Sequence, residues 1–373
     1  MKAPGAYVHV PFCAHRCSYC SFVAFPGLKG ESDYFDVLVS EIEARRGEAA
    51  APLDTVYFGG GTPSFVEPER LQRVLSALRD CHGLAADTEV TAEGNPDDLT
   101  DSRLDALVRL GVTRLSVGVQ SLKDDELPYL ERRHDASAAA DALLRARTRF
   151  ARLSGDLMIG IPGQTFDSLR SSLDGLLSTG VDHLSVYLLE LEKAPKLVAL
   201  KAEKPELFPD DDEMARRWEE VDRMSTSAGL PRYELSNWAR PGCESRHNLK
   251  YWTETPTLGF GVSAHSFDGA VRRANSGAVV DYTRLVKESG RAFVTEVRLS
   301  DDELRREGVL LRLRLAEGVS LRDFESVRDG LARDERDRLG DCEAAGLLVR
   351  TEGRIALSRS GVLLSNEVFS LLV

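Results

Sequence analysis

Short apolar runs alternate with longer amphipathic stretches in the first half of this chain, and this rhythm restricts the fold more than any other sequence feature. A stretch with helical spacing follows each of the runs, for example "TFDSLRSSLDGLLSTG" (165–180). Strand–helix steps of this kind indicate βαβ units and a parallel sheet, either an open doubly wound sheet or a partial barrel. In both, functional groups gather at the carboxyl ends of the strands. The predicted strands are residues 6–10, 54–60, 88–94, 114–120, 154–160 and 183–189.

The alternation of strand and helix patterns ends near residue 190, and the pattern changes again near residue 299. The chain is therefore predicted to have three parts. Residues 1–190 hold the six βα units, and residues 191–298 extend or cap them, with a helix near 213–228. Residues 299–373 combine helices with the two short apolar runs "GLLVRT" and "GRIALS". This last pattern predicts a small, mostly helical domain of the winged-helix type.

Composition bounds the class of protein and its compartment. Hydrophobic residues make up 42% of the 373 residues, which is enough for a large core. The formal net charge of −12 argues against a nucleic-acid partner and against attachment to anionic lipid. No stretch approaches the length of a signal peptide or a transmembrane helix, so we expect a soluble, cytoplasmic protein without a transmembrane segment.

Three of the six cysteines lie within eight residues, in "PFCAHRCSYCSF" directly after the first strand. In a reducing compartment such a cluster is more typical of metal binding or redox chemistry than of a disulfide. The alternatives are free core thiols, which we expect for the scattered cysteines, a zinc site completed by His15 or His9, or an iron–sulfur cluster. The ligand candidates are Cys13, Cys17 and Cys20.

The number of cysteines favours the iron–sulfur interpretation. A four-iron cluster normally takes four thiolates, so three cysteines leave one iron with an open coordination position. An open iron is a liability in a structural cluster and a requirement in a catalytic one. For zinc, no second Cys-x2-Cys pair follows downstream, and His15 lies between two of the cysteines.

The spacing Cys-x3-Cys-x2-Cys, with Tyr19 just before the last cysteine, resembles the radical S-adenosylmethionine (SAM) superfamily. The resemblance implies a partial (β/α)6 TIM-like barrel and a [4Fe–4S] cluster held by the three cysteines. It further implies that SAM binds the open iron, and that an electron from a donor protein passes through the cluster to cleave SAM to a 5′-deoxyadenosyl radical.

Further stretches resemble the coproporphyrinogen-dehydrogenase-like branch of this superfamily: "YFGGGTPS", "AEGNPDDLT", "SVGVQSL", "RRHD" and "DLMIGIPGQT". Bare glycine N–H groups allow close approach of a ligand, and a charge within a buried strand needs a partner. The carry-over of binding residues ends at Leu189, because "LEKAPKLVAL" replaces the family's Glu-Pro-Gly-Thr-like turn. The resemblance implies a SAM pocket of Tyr7, Tyr19, Gly60, Gly61, Thr62, Glu93, Gln120, Arg132 and Asp156.

The aromatic segment 233–267 reads either as a packed cap over the barrel or as a site for a planar ligand. Its His-Asn-x-x-Tyr-Trp motif resembles the HemW haem-chaperone group, which implies that haem is bound as cargo. The resemblance also implies delivery of that haem to other proteins, such as membrane respiratory enzymes. His247 is the predicted axial ligand, His265 is the second choice, and Asn248, Tyr251 and Trp252 complete the predicted haem site.

Two functions therefore remain open. One is a haem chaperone that keeps a cluster and SAM, and the other is an oxygen-independent coproporphyrinogen III oxidase that decarboxylates propionates with the deoxyadenosyl radical. The dehydrogenases of this branch carry a fourth cysteine two residues after the third, and Phe22 stands there in this chain. That substitution favours the chaperone. Whether the chain is an enzyme, and in which oligomeric state it works, stays open on the sequence.

Overall fold

A computed structural model describes residues 2–192 and 194–372, and a twelve-stranded sheet dominates this part of the chain. The strands are β1 (Gly5–Val10), β2 (Phe12–Cys13), β3 (Phe25–Pro26), β4 (Leu53–Gly60), β5 (Leu84–Gly94), β6 (Arg114–Gln120), β7 (Arg152–Ile159), β8 (His183–Leu188), β9 (Arg232–Glu234), β10 (Asn237–Ala239), β11 (Thr257–Phe260), β12 (His265–Phe267), β13 (Val271–Asn275), β14 (Phe293–Arg298), β15 (Val319–Ser320), β16 (Leu348–Thr351) and β17 (Arg354–Leu357). The helices are α1 (Glu31–Ala44), α2 (Pro68–His82), α3 (Asp101–Leu110), α4 (Ala136–Arg147), α5 (Phe166–Ser178), α6 (Pro195–Glu203), α7 (Asp211–Ser227), α8 (Arg246–Trp252), α9 (Val279–Ser289), α10 (Asp301–Leu313), α11 (Leu321–Gly330), α12 (Arg333–Ala344), α13 (Arg359–Leu363) and α14 (Ser365–Phe369).

The order of the strands distinguishes a barrel from a doubly wound sheet. In space the order is β14-β13-β12-β11-β1-β4-β5-β6-β7-β8-β10-β9, and the neighbours from β11 to β8 are parallel. Strands β1 and β4 to β8 follow one another in chain order, without the reversal that creates a doubly wound sheet. The predicted partial (β/α)6 barrel with a helical C-terminal region is therefore confirmed.

The strand residues alternate between an apolar core under the helices and a polar barrel interior. Val8, Val56 and Leu115 are fully buried in the core. Neighbouring positions such as Tyr57 and Ser116 point the other way, since successive strand side chains face opposite sides. Burial of one such aliphatic side chain stabilises the fold by about 2 kcal/mol. The polar interior is consequently maintained by a continuous apolar layer around it.

Residues 191–298 lengthen the barrel sheet at both edges instead of forming a separate sheet. Strands β10 and β9 continue it antiparallel beyond β8, and β12 to β14 continue it beyond β11. The C-terminal unit has helices α10 to α14 around a three-stranded sheet of order β15-β17-β16. None of the helices in the described part of the chain has both the length and the apolar character needed to span a bilayer.

Candidate functional site

The three clustered cysteines face a cavity of about 420 Å³ at the carboxyl ends of the barrel strands. Cys13 ends the short strand β2, and the backbone N–H of Cys20 donates to the Cys17 carbonyl at 3.2 Å, which folds the loop into a turn. Burial raises the pKa of the Cys13 thiol to about 11 and also raises the pKa of Cys20. Metal binding must therefore displace protons from these thiols.

A chain of hydrogen bonds joins the Cys13 sulfur to the Cys17 sulfur through three side chains from other loops. Thr62 Oγ1 donates to Cys13 Sγ at 3.4 Å, and Asn95 Nδ2 donates to Thr62 Oγ1 at 3.0 Å. Arg132 donates to Asn95 Oδ1 at 2.7 Å and to Cys17 Sγ at 3.6 Å. Donors aimed at sulfur are what thiolate ligands of an iron–sulfur cluster receive from their surroundings. The residues present fit such a cluster.

A single-ion site has less support from the geometry. Across residues 2–192 and 194–372, no group of three His, Cys, Asp or Glu side chains could hold one metal ion. His15, the proposed fourth zinc ligand, instead lies 3.7 Å from Glu131. His9, the other candidate, contacts the Val23 carbonyl through Nε2 at 2.8 Å and the Tyr7 hydroxyl through Nδ1 at 3.1 Å.

The glycine-rich loop after β4 packs tightly onto the start of the cysteine loop. The N–H of Gly61 donates to the Val10 carbonyl and the N–H of Thr62 to the Phe12 carbonyl, both at 2.8 Å. Gly60 has φ = 105°, and a Cβ there would lie 2.4 Å from the His9 ring. Only glycine fits this position, both for its backbone conformation and for the space available.

Two half-buried carboxylates line the cavity. Glu93 accepts hydrogen bonds from the Tyr57 hydroxyl at 2.7 Å and from the Gly60 N–H at 3.3 Å. Burial, together with the charge of the nearby Asp156, nevertheless raises the pKa of Glu93 to about 7. Burial also raises the pKa of Asp156, which accepts from Ser116 Oγ at 3.1 Å. Such a pair suits a ligand that brings positive charge or hydroxyl donors.

Gln120 gives a second sign that the cavity awaits a ligand. It ends β6 with φ = 67°, a left-handed conformation that costs a non-glycine residue about 1 kcal/mol or more. Its Oε1 atom is buried without a hydrogen-bond partner among the described residues. A bound group that donates to this oxygen would remove the cost of leaving it unsatisfied.

Most of the predicted SAM residues line this one cavity. They are Tyr19, Gly60, Gly61, Thr62, Glu93, Gln120, Arg132 and Asp156. Tyr7 is the exception, because its hydroxyl lies 3.1 Å from His9 Nδ1 and its ring centroid 6.2 Å from that of Tyr57, within the barrel interior. Phe22 also lines this cavity, and its side chain is 60% exposed. The position therefore presents a phenyl ring to the cavity and offers no sulfur ligand.

Sequence reasoning gave no role to several residues of the cavity. Ser116, Met158 and Tyr187 line it, and Asn95 connects Thr62 to Arg132. Met158 and Tyr187 lie near the carboxyl ends of β7 and β8, and Asn95 directly follows β5, whereas Ser116 is the third residue of β6. A position at a strand end is the sequence feature that could have identified such residues, because functional groups in this architecture lie at strand ends.

The His-Asn-x-x-Tyr-Trp motif lies at the opposite, amino-terminal end of the barrel. It forms α8, whose His247 is 1% exposed and contacts Thr55 Oγ1 through Nδ1 at 2.8 Å. Its Nε2 contacts the Tyr251 hydroxyl at 2.9 Å. Both ring nitrogens are thus engaged, and burial lowers the pKa of His247 to about 3. In this arrangement the predicted axial ligand has no free nitrogen for haem iron, so the first choice of ligand is not supported.

His247→Ala should therefore cost stability more than ligand binding. The substitution leaves the fully buried Thr55 hydroxyl without a partner and opens a void, for an expected loss of about 3 kcal/mol in the free energy of unfolding. Denaturant unfolding measures it. His82→Ala is the matched control, because both nitrogens of that buried ring lack partners, and it should cost clearly less. Equal losses in the two variants would show that the hydrogen bonds of His247 contribute nothing.

A parallel-stranded partial barrel with three cysteines and a glycine loop at the strand ends defines a radical SAM protein, and comparisons with known proteins agree. The radical SAM superfamily model matches residues 7–176, and the HemN C-terminal domain model matches residues 299–364. The solved structure of coproporphyrinogen III oxidase (HemN) from Escherichia coli, described as a radical SAM enzyme, superposes with a TM-score of 0.85. It is 25% identical in sequence, over 100% of this chain and 90% of that one. The family implies a [4Fe–4S] cluster and SAM.

Proteins similar in sequence show which family of radical SAM proteins this chain belongs to. A protein named heme chaperone HemW from Mycobacterium tuberculosis is 38% identical over 98% of this chain and 93% of its own length. The Bacillus subtilis protein of the same name is 35% identical over 98% and 97%. The mitochondrial radical S-adenosyl methionine domain-containing protein 1 of Bos taurus is 37% identical over 85% and 73%. This chain belongs to the HemW family of radical SAM proteins.

Proposed function

We propose that this chain is a haem chaperone that carries a [4Fe–4S] cluster, binds SAM and passes haem to haem-requiring proteins. The observation that carries the proposal is its identity of 35–38% to proteins named heme chaperone HemW along nearly their whole length. The acceptors would be haem proteins such as respiratory enzymes, and a separate electron donor would serve the cluster.

The residues of the cavity have separable roles in this function. Cys13, Cys17 and Cys20 would hold the cluster, whose open iron supplies one-electron cleavage of SAM when both are bound. Glu93 and Asp156 present acceptors to the cofactor, and the rigid glycine loop fixes the distance between cofactor and cysteines. The hydrogen-bond chain through Asn95 holds the side chains of Cys13 and Cys17 in fixed positions relative to the cavity wall.

Coproporphyrinogen III oxidation is the second candidate function. The superposition on the Escherichia coli oxidase over the full chain favours it, since both ends of that fold are present here. Phe22 opposes it, because the sequence resemblance places a fourth cysteine there in the dehydrogenases. An apolar ring at the mouth of the cavity also supplies no proton donor or thiol to a substrate.

One anaerobic assay separates the two functions. Cluster-reconstituted protein is incubated with reductant, SAM and coproporphyrinogen III, and the porphyrins are separated by chromatography. We expect unchanged substrate beside a cluster of full iron and sulfide content. The Escherichia coli oxidase, assayed in parallel, verifies that the reductant and substrate are competent. Formation of protoporphyrinogen by this chain would contradict the chaperone proposal.

The positive test is transfer of haem. The same protein is loaded with ferric haem, separated from free haem, and mixed with an apo-protein that binds haem tightly, so that arrival of haem is read from the absorbance of the acceptor. We expect transfer faster than from serum albumin loaded to the same extent. A wild-type protein that binds no haem, or releases it no faster than albumin, would refute the proposal.

A further inference from the structure

Tyr57 links the two ends of the barrel interior, although the SAM pocket predicted from the sequence motifs does not include it. It lies in β4, and its hydroxyl donates to Glu93 Oε1 at 2.7 Å. Its ring packs against the ring of His247, with centroids 5.2 Å apart and planes tilted by 33°. Tyr57 therefore connects a carboxylate of the cavity to the His-Asn-x-x-Tyr-Trp helix α8.

Two neighbouring rings restrict the ring of Tyr57. His247 is held in place through its contacts with the hydroxyls of Thr55 and Tyr251. Tyr7 stacks on Tyr57, with centroids 6.2 Å apart and planes 28° from parallel. A ring packed against two fixed rings has little freedom to change rotamer, so the hydroxyl of Tyr57 keeps its direction toward the carboxylate.

Gly59, the first glycine of the glycine-rich loop, leaves the space in which Tyr57 and Glu93 meet. A Cβ at this position would lie 2.9 Å from the Tyr57 ring and 3.1 Å from each carboxylate oxygen of Glu93. Contacts this short would force at least one of the two side chains to move. Backbone conformation does not require the glycine, because Gly59 is not among the residues with positive φ. The space it leaves is what requires it.

The hydroxyl of Tyr57 favours the ionised form of Glu93. Burial and the neighbouring Glu93 raise the pKa of Tyr57 well above its ordinary value, so the hydroxyl remains a donor at physiological pH. A hydrogen bond donated to a carboxylate stabilises its ionised form. Among the described residues, Tyr57 supplies the one side-chain donor to Glu93. The other titratable or charged groups near Glu93 are Tyr7, Cys20, Arg114, Asp156, Tyr187 and Tyr251.

We propose that Tyr57 is a positioning residue that holds the Glu93 carboxylate in place for SAM. Gly59 provides the space for this pair, and helix α8 supports Tyr57 through the ring of His247. The inference rests on the proposed function, because it concerns the SAM that the haem chaperone is proposed to bind. It gives the motif at the amino-terminal end of the barrel a role in SAM binding at the opposite end.

The test is the affinity of the cluster-reconstituted protein for radiolabelled SAM, measured by anaerobic equilibrium dialysis at several pH values around neutrality. We expect Tyr57→Phe, which keeps the ring and removes the hydroxyl, to bind SAM about tenfold more weakly at neutral pH. The pH at which affinity rises should move up by about one unit, because the ionised form of Glu93 has lost a donor. Gly59→Ala should also weaken SAM binding, since its methyl group displaces Tyr57 or Glu93.

A double-mutant cycle separates positioning from packing. When Glu93→Gln has removed the carboxylate, the further change Tyr57→Phe should alter SAM affinity by less than about twofold and leave it independent of pH. His247→Ala should likewise weaken SAM binding only in the protein that retains Glu93. Tyr282→Phe is the matched control, because the Tyr282 hydroxyl donates to the buried Glu41 at 2.8 Å and lies outside the cavity lining. It should bind SAM as the wild type does.

Three results would overturn the inference, and they are distinguishable. Wild-type affinity and pH profile in Tyr57→Phe would show that the hydroxyl positions nothing, and would leave the proposed function standing. An equal loss of affinity with and without Glu93→Gln would reduce Tyr57 to a packing residue. Absence of SAM binding by the wild type would refute the inference together with the SAM component of the proposed function, whereas the haem-transfer assay tests the rest of that function independently.

Discussion

Cys17→Ala is expected to abolish the iron–sulfur cluster, with iron and sulfide falling to background after reconstitution and no reductive cleavage of SAM. With three cysteines the cluster has no spare ligand, so loss of one leaves two irons without a protein thiolate. The donor that Arg132 aims at the Cys17 sulfur then has no acceptor at the cluster. The effect should be a near-complete loss rather than a change of affinity.

Cys243→Ala is the matched control for this variant, because Cys243 is partly exposed and lies outside the cavity lining. It should retain the wild-type iron and sulfide content and the wild-type rate of methionine release. Chemical iron and sulfide assays, together with visible absorbance, measure both proteins. A Cys17→Ala protein with a full [4Fe–4S] content would show that the ligand set has been assigned wrongly.

Glu93→Gln should stabilise the protein without cluster or SAM as the pH rises, by up to about 3 kcal/mol above neutrality. The folded state holds a proton on Glu93 up to about pH 7, whereas the unfolded chain releases it near 4.5. Between these values the native state binds more protons, so its stability falls as pH rises. Glutamine imitates the protonated form and avoids that loss. The two proteins should converge below pH 4.5.

The same substitution should weaken SAM binding to the cluster-loaded protein by tenfold to a hundredfold, because a charge-assisted hydrogen bond contributes about 1.5–3 kcal/mol. Positive charge on the cofactor favours ionised Glu93, so SAM should raise the melting temperature of the wild type more at pH 8 than at pH 6. Glu69→Gln, at an exposed glutamate of α2, should change neither quantity. A pH-independent SAM effect in the wild type would contradict the raised pKa.

The strands of the barrel could be predicted because each is encoded by a local pattern of apolar residues. The order of the strands in the sheet could not be predicted from such patterns. The predicted strand 114–120 coincides with β6, and the predicted strand 88–94 begins four residues later than β5, whose first four residues, "LAAD", are partly or fully exposed. The sequence of helix α4, "ASAAADALLRAR", is rich in alanine, so it gives only a weak apolar stripe. The order of the strands depends on pairing between strands that are distant in sequence, such as β1 and β11, and the periodicity of apolar residues does not show which strands pair.

The same distinction applies to the candidate site, where local motifs could be recognised in the sequence but contacts between distant residues could not. The resemblance to the family's motifs named nine SAM residues, and eight of them line one cavity, each in the carboxyl half of a barrel strand or in a loop between strands. It could not show that His247 is enclosed, because its partner Thr55 lies 192 positions away in the chain. The domain boundaries at 190 and 298, and the roles assigned to single residues, stay predictions.

The hydrogen-bond chain from Cys13 to Cys17 has a consequence for how this protein is made. Its links at Thr62, Asn95 and Arg132 come from three further loops, so the surroundings of the cysteines exist only after β1 and β4 to β6 have paired. We therefore expect cluster insertion to follow barrel assembly. The cellular machinery that delivers iron and sulfide would meet a finished fold and not a nascent chain. Iron starvation should accordingly leave folded, cluster-free protein in the cell.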